Sequence, residues 1–172
     1  MNQVTTTSDY AHAVTADDRT DATTTGSYAH ATTTSDFARA ITAGSYAHAT
    51  TAGDFAHATT AGDFAHATTT SDYANATTAG DFAPATTTSD YAHALTAGLR
   101  SNASVSGENA IAAAFGANSS ARAADGGFIV LAQYSPDGDT VVAVKTAQVG
   151  RDGIKPDTWY TLSPTGEFVE AE

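Results

Sequence analysis

The chain has 172 residues, a formal net charge of −12 and no cysteine. The charge argues against nucleic acid or an anionic membrane as a partner, since both are recognised through a basic face, and the missing thiols exclude disulfides and thiolate metal sites. Alanine and threonine dominate and large aliphatic side chains are scarce before Phe128, so an ordinary Leu/Ile/Val core cannot form over most of the length.

The opening residues, MNQVTTTSDY, have neither the basic start nor the apolar run of a secretory signal, and no later stretch is long enough to span a bilayer. Residues 1–7 read as a lead-in. The compartment stays unassigned, and association with a virion or a surface would need another route.

From residue 8 a nine-residue unit repeats. With the aromatic set at position 3, the beats fall at Tyr10, Arg19, Tyr28, Phe37, Tyr46, Phe55, Phe64, Tyr73, Phe82 and Tyr91. Gly98, Gly107 and Gly116 keep position 1 after the aromatics stop, and Ala103, Ala112 and Ala121 keep position 6, so the tract covers 8–124, thirteen units. Polar low-complexity sequence is often disordered, but a strict period with an aromatic on each beat predicts stacked repeats.

Position 6 is Ala in every unit, position 4 is always small, and position 8 is Thr until the last units. Positions 5 and 7 vary. Restricted positions at a spacing of two mark one face of a strand, which points 4, 6 and 8 inward and 3, 5 and 7 outward. The Ser/Gly-Asp pair at positions 1 and 2 suits a turn. His12, His30, His48 and His66 recur every eighteen residues, while Asp21, Arg39, His57, Asn75 and His93 form a more varied second column. The expected fold is therefore all-β: a parallel β-solenoid, or β-roll, with two nonapeptides per coil and between six and seven coils.

After Asp125 the composition changes. Residues 125–172 read as a small β-rich module of hairpins joined by Pro-Asp-Gly and Ser-Pro-Thr-Gly turns. Ile129, Val130, Leu131, Val142, Val144, Trp159, Tyr160, Leu162, Phe168 and Val169 are its expected core. Fewer than fifty residues are marginal alone, so an end cap over the last coil is expected.

The stretch SVSGENAIAAAFGANSSARA resembles the head repeats of trimeric autotransporter adhesins, in which Ser/Ala-x-Ala steps separated by Gly-x-Asn turns form a β-roll. The wider layout is similar to that of uncharacterised proteins of bacteria and their phages. In these a Thr/Ala/Gly nonapeptide tract is followed by a SVSG-x-N-x-I-A segment and then by a module containing VGRDGIKPDTWYTL. The resemblance implies a β-roll and names no activity. Nine-residue calcium-binding toxin repeats share only the period; they use several glycines and a second acidic position that these units lack.

The six histidines are expected to face solvent, since Asp, Arg, Asn and Pro replace them freely and no fixed ligand set appears. No Cys nucleophile and no phosphate-binding glycine loop occurs, so neither an enzyme nor a bound cofactor or metal is expected. Two surfaces remain as candidates. The ladder Tyr10, Tyr28, Phe37, Tyr46, Phe55, Phe64, Tyr73, Phe82 and Tyr91 is too apolar for an idle surface and suits a homo-oligomer contact, or a glycan bound by stacking. Thr32 with Thr34, Thr68 with Thr70 and Thr86 with Thr88 present Thr-x-Thr steps that resemble the ranks of ice-binding proteins. The expectation is a structural or adhesive solenoid that self-associates through its aromatics, with ice binding and glycan binding as alternatives.

Overall fold

Each nine-residue unit becomes one short strand, from positions 5 to 8, and one corner. The computed structural model describes residues 3–171. Fourteen short strands build the coils: β1 (Gln3–Thr6), β2 (His12–Thr15), β3 (Asp21–Thr24), β4 (His30–Thr33), β5 (Arg39–Thr42), β6 (His48–Thr51), β7 (His57–Thr60), β8 (His66–Thr69), β9 (Asn75–Thr78), β10 (Ala85–Thr87), β11 (His93–Thr96), β12 (Asn102–Val105), β13 (Ile111–Ala114) and β14 (Ser120–Arg122). Odd-numbered strands form one parallel sheet, sheet 1, and even-numbered strands the other, sheet 2. Every strand pairs with its equivalent eighteen residues away, as Ala31 does with Ala49 and Thr33 with Thr51. The fold is a β-solenoid of seven coils, two nonapeptides to a coil.

β1 falls in the segment read as a lead-in. Its residues Gln3–Thr6 pair with Asp21–Thr24, so the stack begins before residue 8.

The interior is thin, and only small side chains fit it. Ala at positions 4 and 6 and Thr at position 8 are enclosed: Ala29, Ala31 and Thr33 are each 0% exposed, and the pattern repeats along the rod. Most of the buried Thr hydroxyls have no partner among the described residues, whereas Thr15 donates to the Thr20 carbonyl at 3.3 Å and Thr78 to the Ala83 carbonyl at 2.8 Å, each across a corner.

Position 3 departs from its expected place on the strand. It lies in the corner, in the left-handed backbone region, with φ of 60° at Tyr10 and 55° at Phe82. The side chain still points outward, but the backbone there turns.

The last coil is covered on both sheets. β15 (Phe128–Tyr134) adds parallel to β13 and places Ile129 and Leu131 beside Ala112 and Ala114; β16 (Val141–Gln148) then pairs antiparallel with β15. β17 (Tyr160–Leu162) adds antiparallel to β14, and β18 (Phe168–Glu170) follows it. Ile129, Leu131, Val149, Ile154 and Tyr160 form the buried part of this cap. Val142, Val144 and Val169, expected in the core, are exposed because, among the described residues, nothing packs over the outer strands of the two hairpins. Trp159 is only partly buried and lies beneath Arg122, whose guanidinium carbon is 4.7 Å from the ring centroid.

Candidate functional site

The corners explain why Asp and an aromatic follow each other. In six units the position-2 carboxylate accepts the backbone N–H of position 2 in the next coil, as Asp36 does from Asp54 (2.9 Å), Asp63 from Asp81 (2.9 Å) and Asp90 from Glu108 (2.7 Å). The N–H of position 3 donates to the position-2 carbonyl one coil on, as Phe64 does to Asp81 at 2.9 Å. Corner groups that a plain turn would leave to water are thereby tied between coils.

This fixes the aromatics in two ladders, one along each edge of the rod. Tyr10, Tyr28, Tyr46, Phe64 and Phe82 stack along one, with centroids 4.9–5.1 Å apart. Phe37, Phe55, Tyr73 and Tyr91 stack along the other at 4.9–5.1 Å. Arg19 closes one end of the second ladder at 5.5 Å from Phe37, and Arg100 closes the first at 5.7 Å from Phe82, each as a cation over a ring face. The nine aromatics expected to form an interaction ladder thus form two, with ring faces turned toward each other and ring edges toward solvent.

The alternation of TTAG with TTTS sorts in the same way. The corners entering sheet 2 carry Gly26, Gly44, Gly62, Gly80, Gly98 and Gly116, where a Cβ on all but the first would overlap the carbonyl of the preceding glycine. The opposite corners mix Ser35, Gly53, Ser71 and Ser89, and Ser71 turns its hydroxyl to the Ala52 carbonyl at 2.6 Å.

The two broad faces differ. On sheet 2, Thr32, Thr50, Thr68, Thr86 and Ser104 stand in register in five successive coils. Thr34, Thr70, Thr88 and Ser106 flank them at position 9, with Ala52 the one gap in that span. The six threonines expected to form a Thr face therefore lie together. Ile41, Leu95, Ala43, Ala61, Ala79 and Ala97, which interrupt the pattern in the linear sequence, all belong to sheet 1 or its ends.

Beside the threonines runs a histidine row. His12, His30, His48 and His66 stack with centroids 4.8 Å apart and ring planes within 12°. Parallel rings direct their nitrogens side by side rather than at one point, and among the described residues no three His, Asp or Glu side chains gather around a common centre. Pro84 ends the row. Burial lowers the pKa of His30, reinforced by the charges of His48 and His12; burial and then His66 lower that of His48; burial lowers that of His66. A histidine with a lowered folded pKa leaves the unfolded chain binding more protons in the window between the two values. Stability is expected to be full above about pH 6.5 and to fall as pH drops below it through the folded values. Thermal melting at a series of pH values between 5 and 8 measures this, and His48→Asn should flatten the slope; an unchanged slope would remove the row as its source.

On sheet 1 the equivalent positions hold unlike residues, including the pair Asp21 and Arg39 joined across adjacent coils at 2.7 Å. A cleft of about 400 Å³ opens between the two cap hairpins and the last corner, lined by Asn118, Gln133, Tyr134, Pro136 and Pro164 among others. The side-chain amide of Gln133 donates to the Pro164 carbonyl there at 2.8 Å. Nothing in the linear sequence marks that cleft, since its walls come from three separate segments.

Fold and surface together define a β-solenoid of nonapeptide repeats with a hairpin cap. Comparison with family models, curated proteins and solved structures returned no match.

Proposed function

We propose that the chain is a non-enzymatic structural rod that assembles with copies of itself. The observation that carries this reading is the uniform stack itself: seven coils in register, stapled along both edges by aromatic ladders and by carboxylate-to-amide bonds. Such an arrangement spends its repeated residues on stiffness and leaves the exposed positions 5 and 7 free to vary. The ladder residues from Tyr28 to Tyr91 are 41–52% exposed, which supports a sticky, adhesive or self-associating surface. A glycan stacks on a ring face, and neighbouring rings already occupy the inner faces, so the glycan alternative draws no support from these ladders. Light scattering over a concentration series tests the assembly. The mass is expected to rise above 17.4 kDa, and a monomer at every concentration would end the self-associating reading.

Ice binding is the second reading, favoured by one observation. Ile41 and Leu95 fall on sheet 1; Val14 interrupts position 7 of sheet 2 in the first coil, but beyond it Thr32, Thr50, Thr68 and Thr86 form an ordered array of hydroxyls and methyls at strand spacing. On this reading thermal hysteresis is measurable in the native protein and lost in Thr68→Tyr. Its absence in the native protein would leave the rod alone.

A further inference from the structure

The outer face of sheet 1 changes character toward the cap. In the first five coils it carries Gln3, Asp21, Arg39, His57 and Asn75 at position 5. Beyond them the ranks run His93, Ile111, Phe128, Gln148 and Leu95, Ala113, Val130, Thr146, with Ala132 beside Val144 next along the strands. Ile111, Phe128 and Val144 are 36%, 42% and 52% exposed. Side chains directly opposite in a ladder share a face, so Val144 stands with Ala132 on this outer surface, whereas Lys145, opposite buried Leu131, points to the other side. The result is one contiguous apolar surface over β11, β13, β15 and β16, made by Leu95, Ile111, Phe128, Val130, Ala132 and Val144.

We propose that this apolar end of sheet 1 is the contact between two copies of the chain, packed sheet face to sheet face about a two-fold axis. The inference rests on the self-associating reading above and replaces the aromatic ladders with a different surface.

Three features select a second copy as the occupant. The first is charge. Within β11, β13, β15 and β16 the only acidic or basic side chain besides His93 is Lys145, which points to the other side, while the chain as a whole carries −12. A cationic partner would be drawn to the acidic corners and an anionic one repelled by them; neither is directed here. The second is shape. An apolar sheet face is complementary to itself, and a two-fold axis pairs like with like. With the axis lying along the strands, across the rod, the two rods point in opposite directions and their acidic tracts diverge. The third is area. Four strands at about 4.8 Å and a seven-residue β15 at about 3.3 Å per residue give a face of roughly 400 Å². Doubled and enlarged by side-chain relief, it approaches the roughly 1,000 Å² that a specific contact needs. The association is therefore weak and concentration-dependent. The free edge of β16 is a poorer candidate, because an edge lysine such as Lys145 obstructs addition of another strand.

The test is light scattering of the full chain into the millimolar range, on the wild type, Val144→Asp, Phe128→Asp and the control Val14→Asp, which adds the same charge to an exposed site on sheet 2 at the far end. Thermal melting of each variant checks folding. The expected result is a mass that doubles with concentration for the wild type and Val14→Asp, with both face variants monomeric at an unchanged melting temperature. If Phe128→Asp fails to fold, Val144→Asp decides alone, since that side chain is half exposed. An oligomer that survives both face variants would overturn the assignment while leaving self-association standing, and its loss in Phe55→Ser with Tyr73→Ser would return the contact to the ladder. A wild-type monomer throughout would overturn both.

Discussion

Replacing Ala67 by leucine is expected to destabilise the protein far more than replacing His57 by leucine. Ala67 is 1% exposed and lies in register between Ala49 and Ala85 of the neighbouring coils, facing the opposite sheet across an interior lined only by Ala and Thr. Three added carbons have no space, so the coil must splay and weaken its ladders to both neighbours. Overpacking costs about 1–3 kcal/mol in ordinary cores, and a wall this thin gives little room for relief. His57 stands outward on sheet 1, where a surface change is worth roughly 0.5 kcal/mol or less. Thermal melting of the two variants measures the difference, at about 2–4 °C per kcal/mol for a chain of this size. Equal shifts would mean that the interior is not closed.

The second large effect is expected at Phe64. Its φ of 56° lies in the left-handed region, where a β-branched residue is a genuine outlier. Its ring stacks on Tyr46 at 4.9 Å and on Phe82 at 5.0 Å. Phe64→Ile loses both stacks, each worth about 0.5–1.5 kcal/mol, and adds backbone strain of order 1–2 kcal/mol. Phe64→Asn loses the stacks alone, because asparagine tolerates this backbone, as Asn109 and Asn118 do at the same position in later units. The isoleucine variant should therefore melt below the asparagine variant. If the two melt together, ring stacking and not the corner backbone sets the residue at position 3.

The interior was legible because it depends on one local rule. Position 6 is invariant Ala and positions 4 and 8 are small, so a spacing of two, read along the chain, gave the buried face without any knowledge of neighbours. The eighteen-residue coil was legible from the histidine column, and the structure places His48 beside His66 at 4.8 Å. The corner backbone was not. An aromatic on every beat reads as a strand residue by propensity, and only the inter-coil bonds of Asp63 and Phe64 to Asp81 show why a large side chain is held at positive φ. The cap misled for a related reason. Val142 and Val144 have the alternation and hydrophobicity of a core strand, but β16 is the last strand of its sheet, and burial depends on what lies beyond it.

By itself the sequence determined the period, the inward positions and the stacking of equivalent units, because each follows from the size and spacing of residues within one nonapeptide. Tertiary structure decided which exposed residues come to share a surface. Alternate units go to opposite sheets, so residues nine apart lie on opposite sides of the rod and residues eighteen apart touch. That sorting sets Thr32, Thr50, Thr68 and Thr86 in one unbroken rank on sheet 2, divides the aromatics between two edges and collects Leu95, Ile111, Phe128 and Val144 into one face. The eighteen-residue spacing is readable from the histidines, but only the closed coil brings residues of neighbouring strands and of the cap onto a common surface.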